Sequence, residues 1–158
     1  MLFRSIDGVE IFTDIAAAEA FWQSLERADS LATPYQRYDL LKLWQIHVGA
    51  PASVTPLIVV GINPTNVPLF VLPLGRRTVR GWRVAEFLGG KHANFNMGLW
   101  RRDVAAKLTV SDLRPVLEQL SNHADVLKLI HQPITWTDRK STRLNSSHIP
   151  LSRMPSSA

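Results

Sequence analysis

The sequence predicts an α+β domain with a mixed, mostly antiparallel sheet flanked by helices. Two amphipathic helical patterns come first, and short apolar runs rich in β-branched residues then follow in close succession. A further helical pattern and a last short apolar run complete the series. No internal repeat or low-complexity tract interrupts it before residue 138, so we expect one domain over residues 1–137.

The first predicted elements are a strand over residues 9–12 and a helix that follows it. Thr13 or Asp14 can cap this helix, which we expect to run to about Ala28. A second helix begins at Thr33 and Pro34, a good N-cap and first-turn pair, and Gly49 ends it. Core aromatic residues are expected on the two helices at Phe21, Trp22, Tyr38 and Trp44.

A predicted hairpin comes next. Residues 57–62 form a continuous apolar run too short for a helix, and turn residues separate them from a second run over residues 67–74. Pro68 and Pro73 in the second run indicate an edge strand or a bulge. The remaining predicted elements are a basic turn over 76–80, a strand over 82–88, a polar loop over 89–98, a helix starting at Ser111 or Asp112, and a strand over 126–130.

The composition excludes several classes of chemistry. The 158 residues contain no cysteine, so no disulfide, thiolate metal site or cysteine nucleophile can form. The histidines are dispersed, the acids fall on separate predicted elements, and GxSxG is absent, so we predict no metal site and no hydrolase site. No membrane span or signal-peptide core is recognised, which makes the cytoplasm the expected location.

The formal charge of +5 raises the question of nucleic-acid binding. Arg76, Arg77, Arg80 and Arg83, with Trp82 among them, could contact phosphates and a base. A solvated turn that protects a strand edge explains the same residues, and we favour it because the net charge outside the last 21 residues is small.

Residues 138–158 differ in composition from the rest of the chain. They include six serines, no aromatic residue and few large apolar side chains, so we expect a disordered tail. The segments DRKSTRLNSSH and LSRMPSSA resemble the translation of a sequencing-library adapter in one reading frame. Our hypothesis is that the gene's own sequence ends near Thr137 and that the chain is the front part of a longer protein.

The densest polar cluster is the loop over residues 89–98. Gly89 and Gly90 allow close approach of the backbone to a ligand, and His92 can exchange a proton near neutral pH. Asn94 and Asn96 project alternately from an extended segment. These five residues are the candidate substrate-binding site. The alternative is a glycine turn whose asparagines satisfy their own backbone, since the loop lacks a phosphate-binding glycine pattern.

Several short pieces occur in a fixed order along the chain. They are Trp22 with Leu25, Thr33-Pro34-Tyr35-Gln36, Leu43-Trp44, Val71-Leu72-Pro73-Leu74, Phe87-Leu88-Gly89-Gly90, the loop through Asn96, and the closing Leu129, Gln132-Pro133 and Trp136. Over about residues 20–137 this order resembles the front half of the GNAT-superfamily acetyltransferases known as cellulose-biosynthesis (CelD-like) proteins.

The resemblance implies a tandem acyltransferase fold with a degenerate first lobe and a second lobe that binds acyl-coenzyme A. It implies transfer of an acetyl or other acyl group to an amine or hydroxyl acceptor, in polysaccharide or cell-envelope metabolism. GNAT chemistry uses a splayed strand and a Q/RxxGxG/A-type loop that holds the pyrophosphate, and this sequence has no such loop. We therefore expect the chain to bind no acetyl-CoA and to be inactive without its missing C-terminal lobe, with the catalytic residues beyond Thr137.

Two other functions stay open. A non-enzymatic α+β binding module, complete in itself, would explain the absence of a catalytic constellation. A small basic nucleic-acid binder would require salt-sensitive affinity that survives removal of residues 138–158.

Overall fold

The computed structural model of the chain describes residues 6–27 and 29–132, together with the backbone of residues 148–150. The strands are β1 (Gly8–Phe12), β2 (Ser30–Leu31), β3 (Thr55–Ile62), β4 (Pro68–Val79), β5 (Trp82–Phe87), β6 (Leu99–Arg101), β7 (Val126–Lys128) and β8 (His148–Pro150). The helices are α1 (Glu19–Leu25), α2 (Tyr38–Trp44), α3 (Arg102–Ala105) and α4 (Arg114–Ser121). Short 3₁₀ turns precede α1, α2 and α4, and a π-helical turn over Gln45–Gly49 extends α2.

One mixed sheet organises the fold. Neighbouring strands run in the order β1, β3, β4, β5, β7, β8, and β6 pairs with both β4 and β2. These pairings are antiparallel except that of β5 with β7, which are parallel and have α4 between them in the chain. The prediction of an α+β fold with a mostly antiparallel sheet is confirmed.

Strand β4 lies inside the sheet and divides one of its edges between two partners. Strand β3 lines one edge, whereas the other pairs with β6 at Phe70 and Val71 and with β5 from Leu74 onward. Pro73 lies between these two stretches of pairing, and its carbonyl accepts a hydrogen bond from the N–H of Leu88. Proline has no backbone N–H to donate, and at this position no strand pairing is lost for that reason. The predicted edge position is therefore wrong. The predicted bulge is confirmed for the strand's first proline, which lies at a register shift against β3.

The sheet buries apolar residues on both of its faces. Because successive strand residues point to opposite faces, Leu57 and Val59 join a core cluster with residues of α4, while Ile58 and Val60 join a second cluster with residues of α1 and α2. All four side chains are fully buried. The prediction of a buried strand over residues 57–62 is confirmed, since a strand covered on both faces has a continuous apolar run.

A network of buried polar contacts joins α1 to the start of α2. The Trp22 indole N–H donates to the Gln36 carbonyl at 2.9 Å, and its ring meets that of Tyr38 edge-on at 5.6 Å. The Thr33 N–H and hydroxyl both donate to Gln36 Oε1, at 3.0 and 2.7 Å. The predicted cap at Thr33 is confirmed, although it opens a 3₁₀ turn and the α-helix begins only at Tyr38.

The first helix is shorter than its apolar pattern predicts. Asp14 Oδ1 accepts the Ala16 N–H at 3.0 Å, but a 3₁₀ turn follows and regular α-helix begins at Glu19. At the other end Glu26 leaves helical conformation with φ −78° and ψ 57°. The predicted end at Ala28 lies outside the described residues.

The segment predicted as a basic turn, residues 76–80, is mostly strand. Strand β4 continues to Val79, and only Arg80 and Gly81 form the turn, with φ of 51° and 87°. Two residues with positive φ give the tight turn whose twist matches the flanking strands. The exposed arginines lack an apolar alternation, so the pattern did not show the strand. Strands β2 and β6 and helix α3, which have two to four residues each, were also missed.

The helix and the strand predicted last before residue 138 are confirmed. The helix predicted from Ser111 or Asp112 begins with a 3₁₀ turn and continues as α4, with Pro115 in its first turn. The last predicted strand is β7, which ends at Lys128. Of the tail over 138–158, only the backbone of β8 is described. The prediction of disorder is wrong at these three residues, because they pair with the edge of β7.

Candidate functional site

The candidate loop over residues 89–98 leaves β5 and leads into β6. Gly89 and Gly90 have φ of +90° and +47°, a conformation that favours glycine, so the turn itself requires this pair. A Cβ on Gly89 would lie 3.2 Å from that of Ala93, whereas a Cβ on Gly90 would meet nothing within 4 Å. The loop is therefore packed at its first glycine and open at its second.

Two of the candidate side chains lie at the surface beside aromatic rings. His92 is exposed, and its Nδ1 accepts the indole N–H of Trp44 at 3.2 Å. An accepting Nδ1 places the proton of the neutral imidazole on Nε2, which can then donate. Asn94 is also exposed and donates from Nδ2 to the Tyr35 hydroxyl at 2.9 Å. Both side chains thus keep polar atoms at the surface of the loop.

Asn96 points into the protein. It is 1% exposed, and its Nδ2 donates to the Gly90 carbonyl at 3.1 Å. Its backbone N–H donates to the His131 carbonyl at 2.9 Å, and its own carbonyl accepts from the Gln132 side chain at 3.0 Å. Oδ1 has no hydrogen-bond partner in the part of the chain that the structure describes. A buried acceptor left unpaired is costly, so a hydroxyl or amine that reached Oδ1 would be favoured.

The loop bridges the carboxyl ends of the two parallel strands. Strands β5 and β7 are paired as far as Glu86 and Lys128, after which β5 runs into the glycine turn and the chain beyond β7 bonds to Asn96. The candidate residues therefore lie beside the carboxyl ends of this parallel pair, with the chain's own backbone between the strand ends.

Sequence reasoning missed the residues against which the loop rests. Gln36 Nε2 donates to the Phe95 carbonyl at 2.8 Å, and the Tyr35 ring meets that of Phe95 edge-on at 6.5 Å. The TPYQ segment signals a helix cap, but no local pattern shows that its glutamine reaches a loop far along the chain. Trp44 was predicted as core, yet it is half-buried and bonds to the loop.

The loop offers neutral polar groups more than charge. Residues 89–98 contain Lys91 but no arginine, aspartate or glutamate. Within the described residues, His, Asp and Glu side chains do not gather in threes at which a metal ion could bind. The amides of Asn94 and Asn96 and the imidazole of His92 can therefore orient a neutral polar group.

A strongly perturbed phenol joins α2 to α1. The Tyr38 hydroxyl donates to Glu19 Oε2 at 2.9 Å, and burial together with this bond raises the pKa of Tyr38 to about 12. The Glu26 carboxylate accepts the Tyr38 backbone N–H. A phenol that holds its proton this firmly acts as a structural donor at neutral pH.

Three of the four hairpin arginines contact their own chain. The contacts are Arg76 to the His123 carbonyl at 3.1 Å, Arg77 to Glu86 at 3.0 Å, and Arg83 to Asp125 at 2.6 Å. Hydrogen bonds from Arg83 lower the pKa of Asp125, and the carboxylate in turn raises the pKa of Arg83. These contacts favour the structural interpretation of Arg76, Arg77 and Arg83 over a patch in which all four arginines bind phosphates.

Among the helices in the described ranges, none combines the length and the apolar character needed to cross a bilayer. The chain matches no protein-family model, no curated protein and no solved structure.

Proposed function

We propose that the chain is the first lobe of a GNAT-superfamily acyltransferase of the CelD-like type. The full enzyme moves an acetyl or other acyl group from acyl-coenzyme A to an amine or hydroxyl acceptor in polysaccharide or cell-envelope metabolism. The acceptor attacks the thioester carbonyl, coenzyme A leaves as its thiol, and a base takes the acceptor's proton. The ordered series of sequence pieces supports the family, and within the described residues Gln36, Trp44 and Gln132, which belong to three of those pieces, bond to the candidate loop.

The observation that carries an acceptor-binding role is the unpaired Oδ1 of Asn96. It is buried beside the Gly89–Gly90 turn, and a hydroxyl or ammonium group is the donor that it lacks. His92 and Asn94 add donors at the surface of the same loop. We assign these residues to binding and orientation of the acceptor, and assign no catalytic residue.

The second lobe is proposed to bring the acyl-coenzyme A site. Residues 1–137 contain no Q/RxxGxG/A pattern. The loop over residues 89–98 contains a single lysine, Lys91, and no arginine. A pyrophosphate needs a cradle of backbone N–H groups or several cations. The 158-residue chain should therefore bind no acetyl-CoA and should be inactive alone.

The test is to recover the intact gene and to follow thiol release from acetyl-CoA with amine and hydroxyl acceptors. We expect release by the full-length protein and none by the 158-residue chain. A full-length protein whose second half lacks an acyl-coenzyme A site would contradict the proposal.

A non-enzymatic binding module is the second candidate, and the packing of the described residues favours it. Both faces of β3 are buried, and the candidate loop is fixed by its own hydrogen bonds. This candidate predicts cooperative unfolding of the present chain and a specific ligand. A product with native-like far-UV circular dichroism but no fixed tertiary packing would count against it.

A further inference from the structure

The hairpin of β4 and β5 extends past the strands that flank it on both sides. Strand β3 pairs with β4 only as far as Arg76, and β7 pairs with β5 only from Val84. Arg83 still bonds to Asp125 through its backbone, so residues 78–82, which we call the hairpin tip, project as a two-stranded ribbon closed by the turn at Arg80 and Gly81. A Cβ on Gly81 would meet nothing within 4 Å, so the end of the tip is open.

Two large apolar side chains are exposed together at the tip. Val79 and Trp82 pair directly across the strands, which puts them on the same face. They are 38% and 56% exposed. A single exposed apolar residue is ordinary, but a cross-strand pair at the end of a projecting hairpin forms a compact apolar patch.

The surroundings of this patch are positively charged. The charged groups are Arg76, Arg77, Arg80, Arg83 and Lys128 against Glu86 and Asp125. Arg77 and Lys128 share Glu86, Arg83 pairs with Asp125, and Arg76 donates to the neutral carbonyl oxygen of His123. Cations thus exceed acids around the tip, and Arg80 carries its charge at the outermost turn.

We propose that the hairpin tip docks onto an anionic lipid surface. Trp82 and Val79 enter the headgroup region, where tryptophan is favoured at the boundary between polar and apolar surroundings. Arg80 stays at the level of the lipid phosphates, to which the excess positive charge attracts the whole tip. This docking does not depend on the acyl-transfer proposal.

The shape of the tip favours lipid over single-stranded nucleic acid. Proteins bind single strands with a basic groove and several aromatic rings on which successive bases stack. The tip is convex and presents one aromatic ring, and three of its neighbouring guanidinium groups bond to the chain itself. A small apolar wedge ringed by cations matches a lipid headgroup layer better.

The test is co-sedimentation of the full 158-residue chain with vesicles of phosphatidylcholine plus phosphatidylglycerol, compared with phosphatidylcholine alone. Arg80→Asn removes the charge and keeps a residue that tolerates positive φ, and its expected effect is a partition coefficient lowered about five-fold. Trp82→Thr keeps a strand-forming residue and should lower binding further. The matched controls are Arg27→Asn and Val110→Thr, both at exposed positions elsewhere, and they should bind like the unmodified chain.

Basic residues outside the tip are unchanged in Arg80→Asn and Trp82→Thr, and Arg27→Asn controls for the loss of one charge elsewhere, so the comparison isolates the tip. Equal binding by Arg80→Asn and the unmodified chain would overturn the proposal, and so would equal binding to the two kinds of vesicle. If single-stranded RNA, rather than vesicles, lost affinity in the two tip variants, the tip would be a nucleic-acid contact and the lipid proposal would be wrong.

Discussion

Replacing Asn96 with leucine should leave the free energy of unfolding unchanged or raise it, although the side chain is 1% exposed. Both side chains branch at Cγ, so leucine leaves no cavity, and the overpacking by its larger methyl groups is shared with the control variant Asn63→Leu. The lost hydrogen bond to the Gly90 carbonyl costs about 1 kcal/mol. Removal of the buried, unpaired Oδ1 returns about 1–3 kcal/mol. The net expectation lies between about zero and 2 kcal/mol of stabilisation.

Asn63 provides a matched control. It is 3% exposed, and its Oδ1 accepts from the N–H groups of Thr65 and Val67 and from the Thr65 hydroxyl, at 3.0, 2.8 and 2.9 Å. Asn63→Leu removes three hydrogen bonds that shape the turn between β3 and β4, and should cost about 3 kcal/mol. The pair of variants differs in whether the buried oxygen is satisfied, not in residue type or burial.

The assay is urea unfolding of both variants and the unmodified chain, followed by tryptophan fluorescence and circular dichroism. If Asn96→Leu destabilises the protein as much as Asn63→Leu does, Oδ1 of Asn96 is hydrogen-bonded in solution. That result would refute the reasoning that this oxygen is a free acceptor for a ligand group.

Three further predictions follow from particular contacts. The hydrogen bonds from Arg83 lower the pKa of Asp125, so they stabilise the fold at pH values above the ordinary pKa of 3.8 and lose this effect as pH falls through the lowered pKa. Asp125→Asn should therefore make the free energy of unfolding depend less on pH in the acid range, and an unchanged dependence would contradict this. Because the pKa of Tyr38 is raised, its stabilising effect is complete below pH 10 and disappears as pH rises towards 12. An ultraviolet titration should show this phenol ionising near 12 rather than near 10, and Tyr38→Phe should lose stability less steeply than the unmodified chain between those two pH values. A Cβ on Gly61 would lie 2.1 Å from Phe70 Cε1, so Gly61→Ala should lower the free energy of unfolding by about 1–3 kcal/mol. An unchanged midpoint of urea unfolding would show that the Phe70 ring moves aside freely.

The fold was predictable where one segment carries its own periodicity. The apolar run of β3 and the Thr33 cap needed no knowledge of distant residues. The end of β4 was not predictable in this way, because its last residues face solvent and are held by pairing with β5. Strands β2 and β6 exist because they meet each other, and two or three residues carry no pattern of their own.

The candidate loop was predictable from its polar composition, but its environment was not. The Gly89–Gly90 pair predicts a turn with positive φ, and both residues adopt it. The inward direction of Asn96 depends on contacts with His131 and Gln132, which join the loop only when β7 lies beside β5. Side chains that look equivalent in the sequence, such as Asn94 and Asn96, therefore differ completely in burial.

The most direct test of the proposed acyltransferase lobe is the nucleotide sequence of the gene across codons 136–140 and onward, read from an independent copy of the locus. The account predicts that this copy departs from the printed sequence just after the codon for Thr137 and continues into a frame that encodes a Q/RxxGxG/A pattern. A copy that encodes DRKSTRLNSSH unchanged and reaches a stop codon after Ala158 would contradict it.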